Sequence, residues 1–433
     1  MARFTFASRE LSGGCDRPRQ IIAHARAVPL PLRLIRVASW RLRLFFYIFV
    51  FSIPFETLNV GLQVEDVSLA KLTGYALVVF AAMEYAVAFR RPSAALGFFS
   101  AYIVLFMILG YTQDPAYEAR VTTRLLQLGQ LGILFWISQS VLREARIMRE
   151  ALLTLAASCS LLALLQATDV TSKWMDVAIR GGGERFTALG EDPNSAGMLL
   201  TLGALTILGM VFFRAAGHRI RIIGGVVLVL LASQLARTAS RTAVVALIAG
   251  LAVFTLTGAS DLKTRFRNTV VMLFAVVLLV LASRRSETNW IRWQNTMAWG
   301  DLDTREGIIP ITIEMVLESP LLGWGPERHY LELARRLNKP SEEHNLYLWI
   351  LNEVGVVGAI PFFIGLWLCI RAGYRGMNIH REGRVVFALA VAMLVFNLGI
   401  TFHNRKVFWF LLAATLASDT LAHSDKRLRQ KVT

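Results

Sequence analysis

Runs of roughly 20 predominantly apolar residues, the length a helix needs to cross a bilayer, recur from one end of this chain to the other. A water-soluble protein so built would expose large apolar patches. In lipid, every backbone N–H and C=O must find its partner inside the protein, and a helix achieves that within one segment. The short alternating segments of a membrane β-barrel are not present. The expected fold is therefore an all-α polytopic membrane protein.

Hydropathy marks about 12 transmembrane helices, at roughly 42–60, 67–89, 94–112, 121–141, 147–168, 194–213, 220–236, 240–257, 268–283, 345–370, 385–402 and 406–421. The chain is 55% hydrophobic yet carries a formal charge of +16. That charge could suit a nucleic-acid partner, but it sits in short clusters between apolar runs, the pattern of membrane orientation. With the N-terminus inside, the inside loops hold Arg90–Arg91, Arg143/Arg146/Arg149, Arg214/Arg219/Arg221, Lys263/Arg265/Arg267 and Arg371/Arg375/Arg381/Arg384. The first outside loop holds Glu56, Glu65 and Asp66 and no arginine. The expected plan is a basic cytoplasmic segment 1–41, nine spans within 42–283, a large periplasmic loop 284–344, three spans within 345–421 and a basic cytoplasmic tail 422–433.

The N-terminal segment, interrupted by Pro18, Pro29 and Pro31, reads as a retained cytoplasmic stretch able to touch anionic headgroups. Three cysteines, Cys15, Cys159 and Cys369, form no metal-binding or disulfide pattern. In the long outside loop a helix is expected from Arg305 to Glu318, stopped by Ser319–Pro320. A second, over Glu327–Asn338, would place Tyr330, Ala334 and Leu337 on one face. Trp290, Trp293 and Trp299 suit interfacial anchors. Gly323 and Gly325, flanking Trp324, suit either a turn or the hinge of a lid.

Arginines in short outside loops depart from the charge rule. Arg180 and Arg185 lie in "IRGGGERFTALGEDPNSAG", and Arg237 and Arg241 in "LARTASRTA". Arg241 opens a helix, an unfavourable place for a cation unless an anion arrives. Guanidinium groups clasp phosphates through paired hydrogen bonds. The alternative is that they reach to headgroup phosphates. Arg305 could join the set from the long loop. In "EDPN", Asp192 or Asn194 suits a helix cap with Pro193 in the first turn. Glu191 and Asp192 could otherwise hold a divalent ion.

Of seven histidines, topology places His329, His344 and His403 outside. His344 is expected in the first turn of the tenth span, with Ser341 as the expected cap. The helix N-terminus disfavours its imidazolium while Glu342 and Glu343 favour it. A neutral imidazole there could serve as a general base, and an interfacial histidine bonded to its own loop is the alternative. Glu353, some 13–14 Å further along the helix, calls for a buried partner.

Three stretches together resemble the O-antigen ligase and polymerase superfamily of bacterial envelope glycosyltransferases: "RFTALGEDPNSAG", "SRTAVVAL" and "ESPLLGWGPERHY…EEHNLYLWILNEVGVVG", spanning roughly 180–360. The resemblance implies a GT-C-like architecture in the inner membrane. It also implies transfer of a preassembled glycan from undecaprenyl diphosphate to lipid A–core at the periplasmic face. By matching motif, Arg185 and Arg241 would bind the donor diphosphate, with Arg180, Arg237 and Arg305 around them. His344 would activate the acceptor hydroxyl, and Asn345 and Glu353 would support its helix. Gly355 and Gly358 would allow close packing. No metal or cofactor, no nucleotide and no nucleic acid is expected. The donor is already activated, and no P-loop is seen. Polymerases of the superfamily and protein O-oligosaccharyltransferases are the near alternatives. Arg-x10-Gly motifs of some polymerases do not start from the outside arginines. A transporter, for solutes or for the lipid-linked glycan, is the distant one, and the short 214–219 loop and unmatched halves argue against it.

Overall fold

The computed structural model describes residues 38–432, apart from 59–67, 169–177, 180–183, 186–188, 190–191, 213–216, 258–261, 285–286, 301–304 and 380. Most of the N-terminal basic segment, Glu65, Asp66, Arg180, the glycines 181–183, Glu191 and Arg214 therefore lie outside the described residues. Sixteen helices are described: α1 (Trp40–Ser52), α2 (Leu69–Met83), α3 (Tyr85–Ala88), α4 (Ala94–Tyr111), α5 (Glu118–Val141), α6 (Ala145–Ala167), α7 (Pro193–Ile207), α8 (His218–Thr238), α9 (Arg241–Thr257), α10 (Leu262–Arg284), α11 (Glu287–Trp299), α12 (Arg305–Glu318), α13 (Arg328–Leu337), α14 (Leu346–Met377), α15 (Arg381–Phe396) and α16 (Lys406–Val432). Between α6 and α7 lie two-residue strands, β1 (Ala178–Ile179) and β2 (Glu184–Arg185), paired antiparallel with Ala178 opposite Arg185.

A helix stands at each expected span, the second being divided at Glu84 into α2 and α3. Of these, α4, α6, α7 with its π-helical continuation, α8 and α14 are long and apolar enough to cross a membrane. This is a multi-pass membrane protein. Serine starts several helices: Ser39, Ser68 and Ser93 each accept the amide three residues on, a cap that contributes about 1 kcal/mol. Asp192 caps α7, accepting from the amides of Asn194 at 2.9 Å and Ser195 at 3.2 Å, with Pro193 at the first position.

In the main interior cluster α14 packs between α4 and α16, and α15 packs on α9. At its centre Phe99 meets Phe135, Phe362 and Trp409 edge-on. On α8, Ile220, Ile222, Ile223, Val226 and Val229 are exposed, as lipid-facing side chains should be. Helix α16 continues to Val432, so the expected tail is, over residues 422–432, a helical extension of the last span.

Helix α14 is broken, which the apolar sequence does not announce. Gly355 sits at φ +62°, ψ −171°. The backbone groups released by the break are taken by the stretch following α12. Trp324 N–H donates to the Asn352 carbonyl at 2.7 Å, Val356 N–H to Pro320 at 2.9 Å and Val357 N–H to Leu321 at 3.1 Å. Irregular backbone at membrane depth is stable only when protein satisfies it in this way. A Cβ on Gly355 would lie 2.3 Å from the Leu321 carbonyl oxygen, and one on Gly323 2.5 Å from that of Asn352. Of the two expectations for Gly323–Gly325, the structure supports a turn: it is a fixed clasp between loop and helix.

The loop helices follow expectation with one difference of face. Helix α12 spans the predicted residues, ending at Ser319–Pro320. On α13 the fully buried residues are His329 and Leu333, one turn apart, while Tyr330, Ala334 and Leu337 are half-buried. Trp324 donates its indole N–H to the Met315 carbonyl and, with Leu337, covers a small core of Ile308, Met315 and Leu333. The three tryptophans all lie on α11; Trp293 packs on the main core and Trp299 is exposed.

Candidate active site

The stretches that carried the resemblance lie far apart in sequence and meet at one end of the helices. Ser240, in the turn between α8 and α9, donates its hydroxyl to Asn194 Oδ1 at 3.0 Å, joining "EDPN" to "SRTA". The approach is tight: a Cβ on Gly197 would lie 3.0 Å from Ser240, Ala243 and Thr238. The next residue pair joins the long loop. Arg305, the first residue of α12, donates to Thr242 Oγ1 at 3.2 Å. The turn after α15 completes the ring, since a Cβ on Gly399 would lie 2.9 Å from Thr242 and 3.4 Å from the Arg305 guanidinium. That same turn receives the start of α14: Asn345 donates to the Leu398 carbonyl at 3.2 Å and Leu346 N–H to Asn397 at 3.0 Å.

The structure thus brings Arg241, Arg305 and the residues flanking His344 together. Arg241 is largely buried and donates to the Arg292 carbonyl and to Thr296 Oγ1 on α11. Arg237, in the last turn of α8, donates to the Gln166 carbonyl at 3.2 Å and to Gln234, contacts that suit a cation at the carboxyl end of α6. Arg185 is described by its backbone in β2, and Arg180 lies outside the described residues.

One expectation is corrected at His344. The cap of α14 is Asn345, whose Oδ1 accepts the amides of Tyr347 at 2.9 Å and Leu348 at 3.1 Å. Ser341 is not the cap, and His344 precedes the helix instead of occupying its first turn. Its backbone takes a left-handed conformation, φ 49°, uncommon outside glycine and asparagine. That bend turns the chain between the acidic pair Glu342–Glu343 and the capped helix.

Beneath His344 lies a buried charged cluster that sequence reasoning missed. His329 Nδ1 donates to Glu343 Oε1 at 2.6 Å, and both side chains are almost completely buried. His329 Nε2 lies 3.8 Å from Glu353, which also accepts from Tyr102 Oη at 2.7 Å and Trp349 Nε1 at 3.2 Å. Glu353 therefore has the partners its burial demands. Burial alone would lower the pKa of His329; Glu343 and Glu353 overcome it and raise it to about 10, so this histidine is an imidazolium at neutral pH. The signal in the sequence was slight, a histidine one turn before Leu333 on the face of α13 that turns inward. His403, also buried, is pushed down to about 3 by burial and by Arg124, and its Nε2 lies 3.2 Å from the Arg124 guanidinium. Of the two buried histidines, His329 is thus held toward its charged form and His403 toward its neutral one.

Residues 226–363 match the family model described as O-antigen ligase. Over that segment the chain is similar to the O-antigen ligase family. The matched segment contains Arg237, Arg241, Arg305, His329, His344 and Glu353, and the match supports a glycosyltransferase-like enzyme of lipopolysaccharide biosynthesis. Comparison with curated proteins finds no match. Among the described residues, no three His, Cys, Asp or Glu side chains converge as a metal site.

Proposed function

We propose that the protein is an O-antigen ligase of the inner membrane that moves a preassembled glycan from undecaprenyl diphosphate to lipid A–core at the periplasmic face. The observation that carries this reading is the meeting of Arg241 and Arg305 with the turn that positions Asn345 and His344. In this reading the donor diphosphate sits at the arginines and its anomeric carbon is turned toward His344. In the proposed step an acceptor hydroxyl attacks that carbon, a new C–O bond forms, and the bond to the diphosphate oxygen breaks. The hydroxyl proton passes to His344, and undecaprenyl diphosphate departs with the electron pair into the arginines, with Arg185, Arg180 and Arg237 assigned supporting places around it. Fixed cations facing developing charge are the strongest form of such stabilisation. Single displacement inverts the anomeric carbon.

The test is product analysis with purified protein, undecaprenyl-diphosphate glycan and lipid A–core, without nucleotide and with chelator. A glycan-capped lipid A–core supports ligation. Lengthening of the glycan on undecaprenyl diphosphate would assign a polymerase instead, and absence of transfer beside an active control would overturn the enzymatic reading.

A further inference from the structure

A second cationic site is lined by arginines other than those assigned to the donor. A cavity of about 350 Å³ is lined by Ala119, Arg120, Thr123, Arg124 and Gln127, all on one face of α5, and by Glu327 from the long loop. Neither arginine makes an ion pair with a described carboxylate. Arg124 is held by neutral acceptors, Gln127 Oε1 at 3.1 Å and His403 Nε2 at 3.2 Å, which fix its position, while Glu327 and Glu342 feel its charge without forming an ion pair with it. Its buried Nε has no partner. The two arginines repel each other across one helical turn, and an anion seated between them would relieve that repulsion, although Glu118 in the same first turn and Glu327 across the cavity already offset part of it.

The rest of the lining narrows the ligand. Glu327 repels a bare phosphate but accepts hydrogen bonds from hydroxyl groups, and Gln127 and Thr123 can donate to or accept from them. Guanidinium groups beside hydroxyl-binding side chains suit a phosphorylated sugar, and the volume lies within the range of small-ligand sites. The cavity also adjoins the proposed chemistry. The charge of Arg124 acts on Glu342, two residues before His344, together with those of Asp192 and Arg405. Through His403 and the Trp349 ring, 6.0 Å apart, it backs onto the buried cluster below the histidine.

We propose that Arg120, Arg124 and Glu327 form a recognition site for a phosphorylated sugar of the acceptor glycolipid, which brings the acceptor hydroxyl to His344. The assignment rests on the transferase reading above. Acceptor and donor then occupy different arginines, so that the two substrates bind independently.

The experiment uses the full chain in phosphatidylcholine nanodiscs, with saturating donor and varied lipid A–core, either intact or phosphatase-treated. Arg120→Ala should raise the KM for intact acceptor about tenfold, as loss of a charge-assisted contact does, with a smaller effect on kcat and no change in donor KM. Arg120→Lys should recover part of the loss. Removing the acceptor phosphates should raise KM similarly for the wild type and add nothing for Arg120→Ala. Equal losses with both acceptors, or a raised donor KM, overturn the proposal. A KM indifferent to acceptor phosphate, with competition by added phosphatidylglycerol, would assign the cavity to bilayer headgroups and also overturn it. If wild-type protein transfers nothing, the transferase reading fails. Direct binding of intact lipid A–core to the nanodiscs then decides the site: a tenfold loss in Arg120→Ala supports it and unchanged binding refutes it.

Discussion

His329 provides the sharpest test of how the loop is held. Replacing it with leucine keeps an apolar side chain on α13 but leaves Glu343 and Glu353 buried beside a group that cannot donate. Removing one partner of a buried ion pair costs about 3–5 kcal/mol, because the remaining charge has no solvent. Here two carboxylates share the histidine, with Glu343 at 2.6 Å and Glu353 at 3.8 Å, so the upper part of that range is expected. For a chain this long the fall in unfolding midpoint should be roughly 4–6 °C, read by thermal denaturation in nanodiscs. Glu343→Gln alone should cost less, and the double variant should be less damaged than the sum, since each change removes part of the other's penalty. The pH dependence has a definite sign. The folded pKa of about 10 lies above the ordinary 6.5, so the stabilisation is complete below about pH 6.5. It declines as pH rises and is gone above about 10. A midpoint unchanged by His329→Leu, or additive losses in the double variant, would refute the ion-pair account.

Further outcomes follow from other contacts. Gly355→Ala and Gly323→Ala should each destabilise by about 1–3 kcal/mol, since both force a side chain into a positive φ against a carbonyl, whereas Gly97→Ala, with open space around it, should not; thermal midpoints of the three decide it. Asn345→Ala removes the cap of α14 and should cost about 1 kcal/mol, while Asn345→Asp should retain most of the stability; a loss of activity rescued by Asp would tie the cap to the placing of His344. Arg241→Lys and Arg305→Lys should lower kcat/KM for donor about tenfold or more if paired phosphate contacts matter; full activity in both sinks the diphosphate clamp.

What the sequence made legible was whatever depends on neighbours along the chain. Apolar runs placed the helices, Asp192–Pro193 marked the start of α7, and Ser319–Pro320 marked the end of α12. The expectation of Ser341 as the cap failed because the helix start is set by the left-handed backbone of His344, which no local propensity favours, and Asn345 caps instead. The break at Gly355 was hidden because the residues on both sides are apolar and the compensating carbonyls come from Pro320 and Leu321, over thirty residues earlier. His329 and Glu343 are 14 residues apart, on two elements whose relative placement only the folded loop sets. Arg120 and Arg124 escaped notice because they sit at the edge of an apolar span, where arginines ordinarily reach for headgroups.

The most direct measurement is the rate of glycan transfer to lipid A–core by purified wild type and His344→Ala, with donor present, nucleotide absent and folding of both verified by thermal midpoint. A base that takes the acceptor proton contributes about 10²–10⁴-fold, so the variant should fall by that much in kcat with little change in donor KM. Full activity in a folded His344→Ala protein would contradict the assignment and leave His344 an ordinary histidine at the membrane surface.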